Sequence, residues 1–281
     1  MPYSARILLD SVTPNGDRLV TAELSYARMV HAELLTHRTL SRNAASSRAI
    51  PVKKLLQQVH SDPVWPVWWG ANQPGMQAKE ELTGLRLLGA KAAWLLGRET
   101  AWLAATLMSK AGAHKQLPNR LIEPYTHITV LVTSTEWSNF FALRTHEDAQ
   151  PELRKIAVMM KEAYDASTPT PLDYGQWHLP LILPEERQLP IEQLIKISTG
   201  RCARVSYLTH DGRRDISADI TLYERLLAGG HMSPTEHVAR PMTSQELAAG
   251  RNSNFVGWWQ HRKDIPGESD YSQLLAAAAL L

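Results

Sequence analysis

The sequence predicts a globular protein of the mixed α+β class. Apolar residues make up 44% and charged residues 21% of the 281 residues, which is ordinary for a soluble globular protein. Stretches rich in Ile, Val and Thr predict strands, and apolar residues at helical spacing predict several helices. The length allows either one large domain or two small ones.

The first predicted elements are a strand with a hairpin turn and a long helical region. Residues 6–35 begin as a strand, and the Asn-Gly pair at 15–16 marks a turn between apolar runs. Residues 61–74 are rich in Pro and Trp and are expected to form an irregular loop. From 77 to 110 leucines recur at helical spacing, which predicts one long helix, or a broken pair, ending near Gly112.

Later elements alternate between strand, helix and loop. A strand is predicted at 126–133, and helices are predicted at 138–143, 151–166, 191–197 and 216–228. Glycines 229 and 230 end the last helix. Five prolines mark 167–190 as a loop that could join two lobes. Because no clear linker divides the chain, we expect a single domain over 1–281, with 242–281 as a C-terminal extension.

Charge, cysteine content and hydropathy narrow the class of protein. The formal net charge of +2 is too small for bulk electrostatic binding to nucleic acid. Cys202 is the only cysteine, so no internal disulfide can form and a reducing compartment fits. The amino terminus has no basic-then-apolar signal, and no apolar run is long enough to span a bilayer. We therefore expect a cytoplasmic protein.

The most informative segment is 36–48, which reads Thr-His-Arg-Thr-Leu-Ser-Arg-Asn-Ala-Ala-Ser-Ser-Arg. It holds three arginines and no acid. Cationic forks and short hydroxyl donors suit a group with several negative oxygens. Apolar residues on both sides indicate that this polar loop leaves and re-enters packed structure. A solvated basic loop is the alternative interpretation.

Two further segments fit the same anion-binding role. In 230–237, Ser233, Pro234 and Glu236 predict a capping box at a helix start, whose amides would attract an anion. A plain helix cap explains the same residues. In 120–150, Asn139 and Arg144 are predicted near one helix end, although Arg144 is also explained as a surface arginine paired with Asp148.

Other constellations are missing from the sequence. The eleven histidines show no zinc-binding pattern, so no metal is expected, and no phosphate-binding glycine loop occurs. The tryptophans at 65–69 and 258–259 fit core or interface packing better than a stacking platform.

Together these segments resemble the flavin-dependent thymidylate synthases. The family pattern Arg-His-Arg followed by Ser-x-Asn-x-x-Ser-x-Arg matches 37–48 from its histidine onward. Its Gly-His-x-Ser-Pro-x-Glu-His matches 230–237, and its Ala-Arg-Val-Ser-Tyr matches 203–207. Its Arg-x-x-x-Pro-Tyr-Thr matches 120–126, and its Asn-Phe-x-x-Leu-Arg-x-x-x-x-Ala-Gln-x-Glu matches 139–152.

The order of the segments differs from that of the usual family member, in which the last two segments of this chain come first. The resemblance therefore implies a circular permutation, with new termini between the Glu236 helix and the strand entering Glu33. It also implies a central, mostly antiparallel sheet flanked by long helices. The core motifs would lie in two ranges, 1–166 and 191–241.

The resemblance implies a role for each matching residue. The residues that bind dUMP would be Glu33, Ser46, Ser47, Arg48, Arg120 and Arg144. The residues that contact FAD would be His37, Arg38, Asn139, Ser206, His231, Ser233 and Glu236. Arg144 would polarise a uracil carbonyl and so be the catalytic residue.

The activity implied is reductive methylation of dUMP to dTMP. NADPH would reduce FAD, and a methylene from methylenetetrahydrofolate would pass to C5 of dUMP. This route needs no protein nucleophile, so Cys202 is expected to be a packed small residue. The family also implies a homotetramer with active sites at subunit interfaces, and no nucleic-acid or membrane partner.

Departures from the family pattern leave alternatives open. The residues of this chain that differ from the family pattern are Thr36, Ala44, Ser47, Thr133 and Thr135. Arg42 would supply some of the missing positive charge. The alternatives are a hydroxymethylase that gives 5-hydroxymethyl-dUMP, a non-catalytic nucleotide-binding protein, and a single-strand binder that uses Arg38, Arg42, Arg48 and stacked tryptophans.

Overall fold

The computed structural model describes residues 3–205, 215–250 and 253–268, and a five-stranded sheet lies at its centre. The strands are β1 (Ser4–Val12), β2 (Arg18–Ala27), β3 (Ser41–Ala44), β4 (His127–Ser134) and β5 (Thr170–Pro171), with β6 (Ala239–Pro241) and β7 (Trp258–Gln260) forming a separate pair. The sheet order is β3-β4-β2-β1-β5, and every pairing except β1 with β5 is antiparallel. The predicted mixed α+β fold with a mostly antiparallel sheet is confirmed.

Nine α-helices are described around this sheet. They are α1 (His31–Leu34), α2 (Val52–Ser61), α3 (Gly84–Lys110), α4 (Gln116–Ile122), α5 (Ser138–Arg144), α6 (Pro151–Ala166), α7 (Ile191–Ala203), α8 (Ile216–Ala228) and α9 (Ser244–Ala248). Short 3₁₀ turns connect several of them. No described helix combines the length and the hydropathy needed to cross a membrane.

The hairpin between β1 and β2 forms where the Asn-Gly pair predicts it. The amide of Thr13 donates to the carbonyl of Asp17, and the amide of Gly16 donates to the carbonyl of Thr13, both at 3.0 Å. Gly16 has φ +93°, a backbone conformation that residues with a side chain rarely adopt.

The central strand β2 is buried on both faces, because alternate residues of a strand point in opposite directions. On one face Val20, Ala22 and Leu24 pack with residues of α5 and α6 in the main core. On the other face Leu19 packs with Phe255, and neighbouring β4 packs against α7. The sheet therefore lies between α5–α6 and the C-terminal part of the chain.

Two helix boundaries differ from the prediction by more than one residue. Helix α3 begins at Gly84 rather than at 77, because the preceding residues form an irregular segment closed by a bridge between Gly70 and Glu81. Helix α7 extends six residues beyond 197, to Ala203.

Helix α3 carries a row of exposed leucines, which we call the leucine stripe. Its members are Leu85, Leu88, Leu96, Leu103 and Leu107, all more than half exposed. The helical spacing is confirmed, but the rest of the described chain leaves most of each of these side chains exposed. Among the described residues of this 27-residue helix, only Ala105 is buried.

A buried ion cluster holds the C-terminal helices together. Arg201 of α7 is fully buried and donates to both carboxylate oxygens of Glu186 at 2.6 Å. Its Nε donates to Asp219 of α8 at 2.9 Å. Next to it, a Cβ on Gly200 would lie 2.4 Å from the carbonyl oxygen of Asp219, so the two helices approach as closely as glycine allows.

Candidate functional site

The arginine-rich segment 36–48 does not form the loop predicted for it. It contains β3, and it ends in a 3₁₀ turn at Ser47–Ala49. In the antiparallel register with β4, Ser41 lies opposite Thr133. The loop prediction is wrong because the segment completes the sheet as an edge strand, and backbone pairing of this kind leaves little trace in a polar sequence.

Two side chains of β3 face the C-terminal part of the chain. Ser41 Oγ donates to Glu236 Oε2 at 2.7 Å, and Asn43 Nδ2 donates to the Cys202 carbonyl at 3.3 Å. These bonds join segments that are 195 and 159 residues apart in the sequence. The first and last motifs therefore contact each other at Ser41 and Glu236.

Arg42 points to the opposite face of the sheet. Its Nη1 donates to the carbonyl oxygens of Leu35 and His37 at 2.9 and 3.2 Å, at the end of α1. Burial lowers the pKa of this guanidinium. Its cationic group already serves helix carbonyls, so the expectation that Arg42 supplies charge to a ligand is not supported by these contacts.

The predicted catalytic residue, Arg144, lies at the end of α5 in a polar cluster. Its Nε donates to His37 Nε2 at 2.8 Å, and its Nη2 donates to Thr36 Oγ1 at 3.1 Å. Its Nη1 lies 3.8 Å from Glu33 Oε2. Three residues expected to serve dUMP or FAD, Glu33, His37 and Arg144, are thus brought together, and Thr36 takes part in their alignment.

The contact with Arg144 fixes the protonation of His37. Because an arginine Nε–H can only donate, His37 Nε2 must accept, so the ring is neutral with its proton on Nδ1. Burial, followed by the charge of Arg144, lowers the pKa of His37 and favours the same neutral form. The ring also packs edge-on against Phe140, with centroids 5.1 Å apart.

A cavity of about 980 Å³ opens beside this cluster. One side is formed by Glu33, Arg144 and the residues that lead into α6, and the other by the irregular segment before α3. Trp68 and Met76 line that second side. The sequence predicts an irregular loop for the Trp-rich region and a packing role for its tryptophans. No signal in the sequence indicates that this region closes a cavity beside Arg144.

Three of the residues expected to bind dUMP, through its phosphate, lie on neighbouring elements. Ser46 and Arg48 are exposed on the turn after β3, and Arg120 is exposed on α4, where it pairs with Glu123 at 3.2 Å. These residues are not part of the described lining of the 980 Å³ cavity.

Asn119 joins the two elements that carry these residues. It is fully buried, and its Nδ2 donates to the carbonyls of Ser47 and Ile50 at 2.7 and 2.9 Å. Ser47 is itself buried, and it contacts Asn119 through its backbone carbonyl rather than through its hydroxyl. Sequence reasoning missed Asn119, and its only signal was its position beside Arg120.

The capping box predicted for 230–237 is wrong. Ser233–His237 form a short 3₁₀ turn whose N-cap is Met232, with no side-chain cap. Glu236 does not turn back to its own helix start, because it accepts hydrogen bonds from Ser41 and from Arg262 Nη1, the latter at 2.7 Å. No α-helix start is available at this segment to bind an anion.

The C-terminal residues around Glu236 were not found by sequence reasoning. Arg262 neutralises the Glu236 carboxylate, and Gln260 Nε2 donates to the Glu236 carbonyl at 3.1 Å. Asn254 Nδ2 donates to Ser41 Oγ at 2.9 Å. The segment treated as a C-terminal extension therefore completes the surroundings of Glu236 and β3.

A chain of five buried polar side chains crosses the sheet near the same segment. Ser11 Oγ bonds His178 Nδ1, His178 Nε2 bonds Thr21, Thr21 bonds Thr133, and Thr133 bonds His237 Nδ1, each at 2.7 or 2.8 Å. We call this the His–Thr chain. It explains one departure from the family pattern, since Thr133 is needed within the protein interior.

Burial keeps both histidines of the His–Thr chain neutral. It lowers the pKa of His178 to about 3, with a smaller effect from His237, and it lowers the pKa of His237 to about 3. His237 Nε2 has no hydrogen-bond partner among the described residues.

Several residues expected to contact FAD have available side chains. Arg38, Asn139, His231 and Ser233 are exposed and make no side-chain hydrogen bond within the described chain. Thr135, another departure, accepts a hydrogen bond from the Val256 amide at 3.1 Å. Ser206 lies outside the described residues.

Two expectations about reactive groups can be compared with the structure. Cys202 is fully buried beside Leu131 and Val205, and burial raises its thiol pKa, so its role as a packed small residue is confirmed. Across the described ranges, no group of three or more His, Cys, Asp or Glu side chains could hold a metal ion.

The family model described as thymidylate synthase complementing protein matches residues 19–170. This range begins in β2, ends in β5 and covers more than half of the chain. The chain belongs to the thymidylate synthase complementing protein family. Within this family match lie the motifs at 37–48, 120–126 and 139–152, whereas 203–207 and 230–237 lie beyond it.

Two solved structures also resemble the chain, both of a UMP/dUMP methylase, PolB, from Streptomyces cacaoi. The one bound with 5-Br UMP is 14% identical, with a TM-score of 0.46, over 58% of this chain and 88% of that chain. The one bound with 5-Br dUMP is 17% identical, with a TM-score of 0.40, over 52% and 65%. Among curated proteins, none matches this member of the thymidylate synthase complementing protein family.

Proposed function

We propose that the protein transfers a one-carbon unit from methylenetetrahydrofolate to C5 of dUMP and gives dTMP, with FAD and NADPH as cofactor and reductant. Family membership supports an enzyme that modifies dUMP. The observation that carries the proposal is the cluster of Glu33, His37 and Arg144 at the 980 Å³ cavity. It supplies an oriented cation beside a space of the size that small-molecule sites occupy.

In this proposal Arg144 stabilises negative charge on a uracil carbonyl oxygen. His37 accepts from Arg144 Nε and Thr36 accepts from Arg144 Nη2, which fixes the plane of the guanidinium. Further N–H groups of the guanidinium remain for a ligand. A donor aligned before the reaction is effective because it needs no reorganisation when charge develops. Glu33 lies close enough to hold Arg144 in place electrostatically.

The exposed polar side chains fit the proposed FAD site in part. Arg38, Asn139, His231 and Ser233 have donors and acceptors free for a ligand, and Arg38 suits a pyrophosphate. His37 and Glu236 are already bound to protein groups, so we assign them the positioning of Arg144 and Ser41. When bound, FAD would supply the redox chemistry of the transfer.

We further propose that sites are completed between subunits of a homotetramer. Ser46, Arg48 and Arg120 do not line the cavity that contains Arg144, so we propose that a second copy contributes a phosphate site to that cavity. The leucine stripe supports assembly, because exposed apolar rows of this length favour burial against another surface. A circular permutation remains our proposal for the motif order, supported by the Ser41–Glu236 contact.

The proposal is tested by the absorption spectrum of the purified protein, followed by product analysis. We expect a flavin spectrum that changes on addition of dUMP, and dTMP as the product when methylenetetrahydrofolate and NADPH are present. A colourless protein that still binds dUMP would favour the non-catalytic nucleotide-binding protein. A 5-hydroxymethyl-dUMP product would show that the protein is a hydroxymethylase. The mass of the product distinguishes 5-hydroxymethyl-dUMP from dTMP.

Two variants test the assigned residues. Arg144→Ala should reduce turnover far more than flavin content, and full activity would remove its catalytic role. Arg48→Ala should mainly weaken dUMP binding, whereas Lys53→Ala, a cation on the adjacent helix α2, should not. Equal dUMP affinity in both variants would remove Arg48 from the phosphate site.

A further inference from the structure

Glu152 is a buried carboxylate at the cavity beside Arg144. It is the second residue of α6, is only 3% exposed and lines the cavity. Its Oε1 accepts a hydrogen bond from the Val67 amide at 2.9 Å. Its Oε2 accepts none from the described residues. Because Glu152 lines the cavity, this oxygen is suited to a donor supplied by a ligand.

The surroundings hold Glu152 in a fixed position. Gln150 caps the start of α6, with its Oε1 accepting from the amides of Glu152 and Leu153 at 2.8 and 3.4 Å. The first turn of a helix favours a negative side chain, which offsets part of the cost of burying this carboxylate. The bond to Val67 attaches the Trp-rich segment to the same group. The acceptor is therefore preorganised before any ligand arrives.

The lining of the cavity contains the kinds of group that one edge of a planar ring requires. Arg144 supplies N–H donors, Glu152 supplies an acceptor, and Trp68 supplies an aromatic side. A uracil ring presents a carbonyl, the N3–H and a second carbonyl along its edge, so it needs a donor and an acceptor side by side. Cytosine presents an unprotonated N3 at the same place, which would face the Glu152 oxygen.

Resting on the proposed function, we propose that Glu152 accepts the N3–H of the uracil ring and makes the site select uracil over cytosine. Arg144 donates to a ring carbonyl in the same complex, and Trp68 contacts the ring. Selection arises because a cytosine N3 and the carboxylate oxygen would both be acceptors, which leaves two polar groups unpaired in a buried place. Glu152 is thus a specificity-determining residue for the pyrimidine.

The test compares the affinities of dUMP, dCMP and N3-methyl-dUMP for the purified full-length protein by calorimetry. The wild type should bind dCMP and N3-methyl-dUMP about 100-fold or more weakly than dUMP. Glu152→Gln keeps an acceptor for the Val67 amide and adds a donor, so the preference for dUMP over dCMP should fall at least tenfold. Glu147→Gln removes an exposed carboxylate of the same cavity and should keep the wild-type preference.

Each outcome has a defined meaning. Wild-type binding of dCMP as tight as dUMP, or an unchanged preference in Glu152→Gln, would overturn the inference while dUMP binding still supports the proposed function. No dUMP binding by the wild type would contradict both. If Glu152→Gln does not fold, N3-methyl-dUMP decides with the wild type alone, because undiminished affinity would overturn the role of the N3–H.

Discussion

The His–Thr chain makes the protein sensitive to acid in a predictable range. His178 and His237 remain neutral in the folded protein down to a pKa of about 3, whereas the ordinary value is 6.5. Between these values the unfolded chain binds protons that the folded chain excludes. The free energy of unfolding therefore falls as pH decreases through 6.5 toward 3, and the contribution is fully present only above 6.5.

The size of the effect follows from the burial of the two rings. A pH of about 5 lies about 1.5 units below the ordinary pKa of a histidine in the unfolded chain. At about 1.4 kcal/mol per unit, each histidine therefore lowers the free energy of unfolding by about 2 kcal/mol. The two residues together should lower the free energy of unfolding by about 4 kcal/mol between about pH 7 and about pH 5. Replacing one of them should remove half of this dependence.

The assay is urea denaturation followed by circular dichroism at several pH values. His237→Gln retains a polar group for Thr133 and should lose about 2 kcal/mol less stability than the wild type on acidification. The comparison of slopes cancels titrating groups that the two proteins share. His114→Gln, at an exposed position, should keep the wild-type slope. Identical slopes for His237→Gln and the wild type would refute the assignment of a buried neutral imidazole.

Three further predictions concern packing and assembly. Arg201→Met should destabilise the protein by about 3–5 kcal/mol in urea denaturation, since it removes the buried cation that Glu186 and Asp219 share. A loss below about 1 kcal/mol would contradict this. Gly200→Ala should cost about 2–3 kcal/mol in the same assay, because its Cβ would clash with the Asp219 carbonyl; an unchanged midpoint would show that α7 and α8 can separate freely. Leu96→Glu should shift the protein to a smaller species in sedimentation, and an unchanged assembly would exclude this part of the leucine stripe from the interface.

Elements with local signals were predicted well. Helix α6 runs from Pro151 to Ala166 as expected, because proline suits its first turn, its apolar side chains recur at helical spacing, and Pro169 follows soon after its end. The β1–β2 hairpin was equally accessible, since an Asn-Gly pair specifies the turn. In each case the information lies within a few residues of the element.

Features set by distant partners were not accessible in the same way. The strand β3 exists because β4 offers it an edge, and Glu236 leaves its predicted cap because Ser41 and Arg262 bind it. The leucines of α3 show a helical period, but a period does not say which surface covers them. The Arg144 cluster was reached only through the family resemblance, since its hydrogen-bond partner His37 is more than a hundred residues away.

The tie between Val67 and Glu152 gives the molecule a built-in optical reporter. Trp65, Trp69 and Trp94 follow one another in ring contact, with centroids 6.3 and 6.4 Å apart, beside the Trp68 that borders the cavity. A ligand that binds the Glu152 carboxylate acts on the segment that carries Trp65 and Trp69, and Trp94 of α3 contacts Trp69. Their emission should therefore register occupancy directly, and nucleotide titrations can be read without a label.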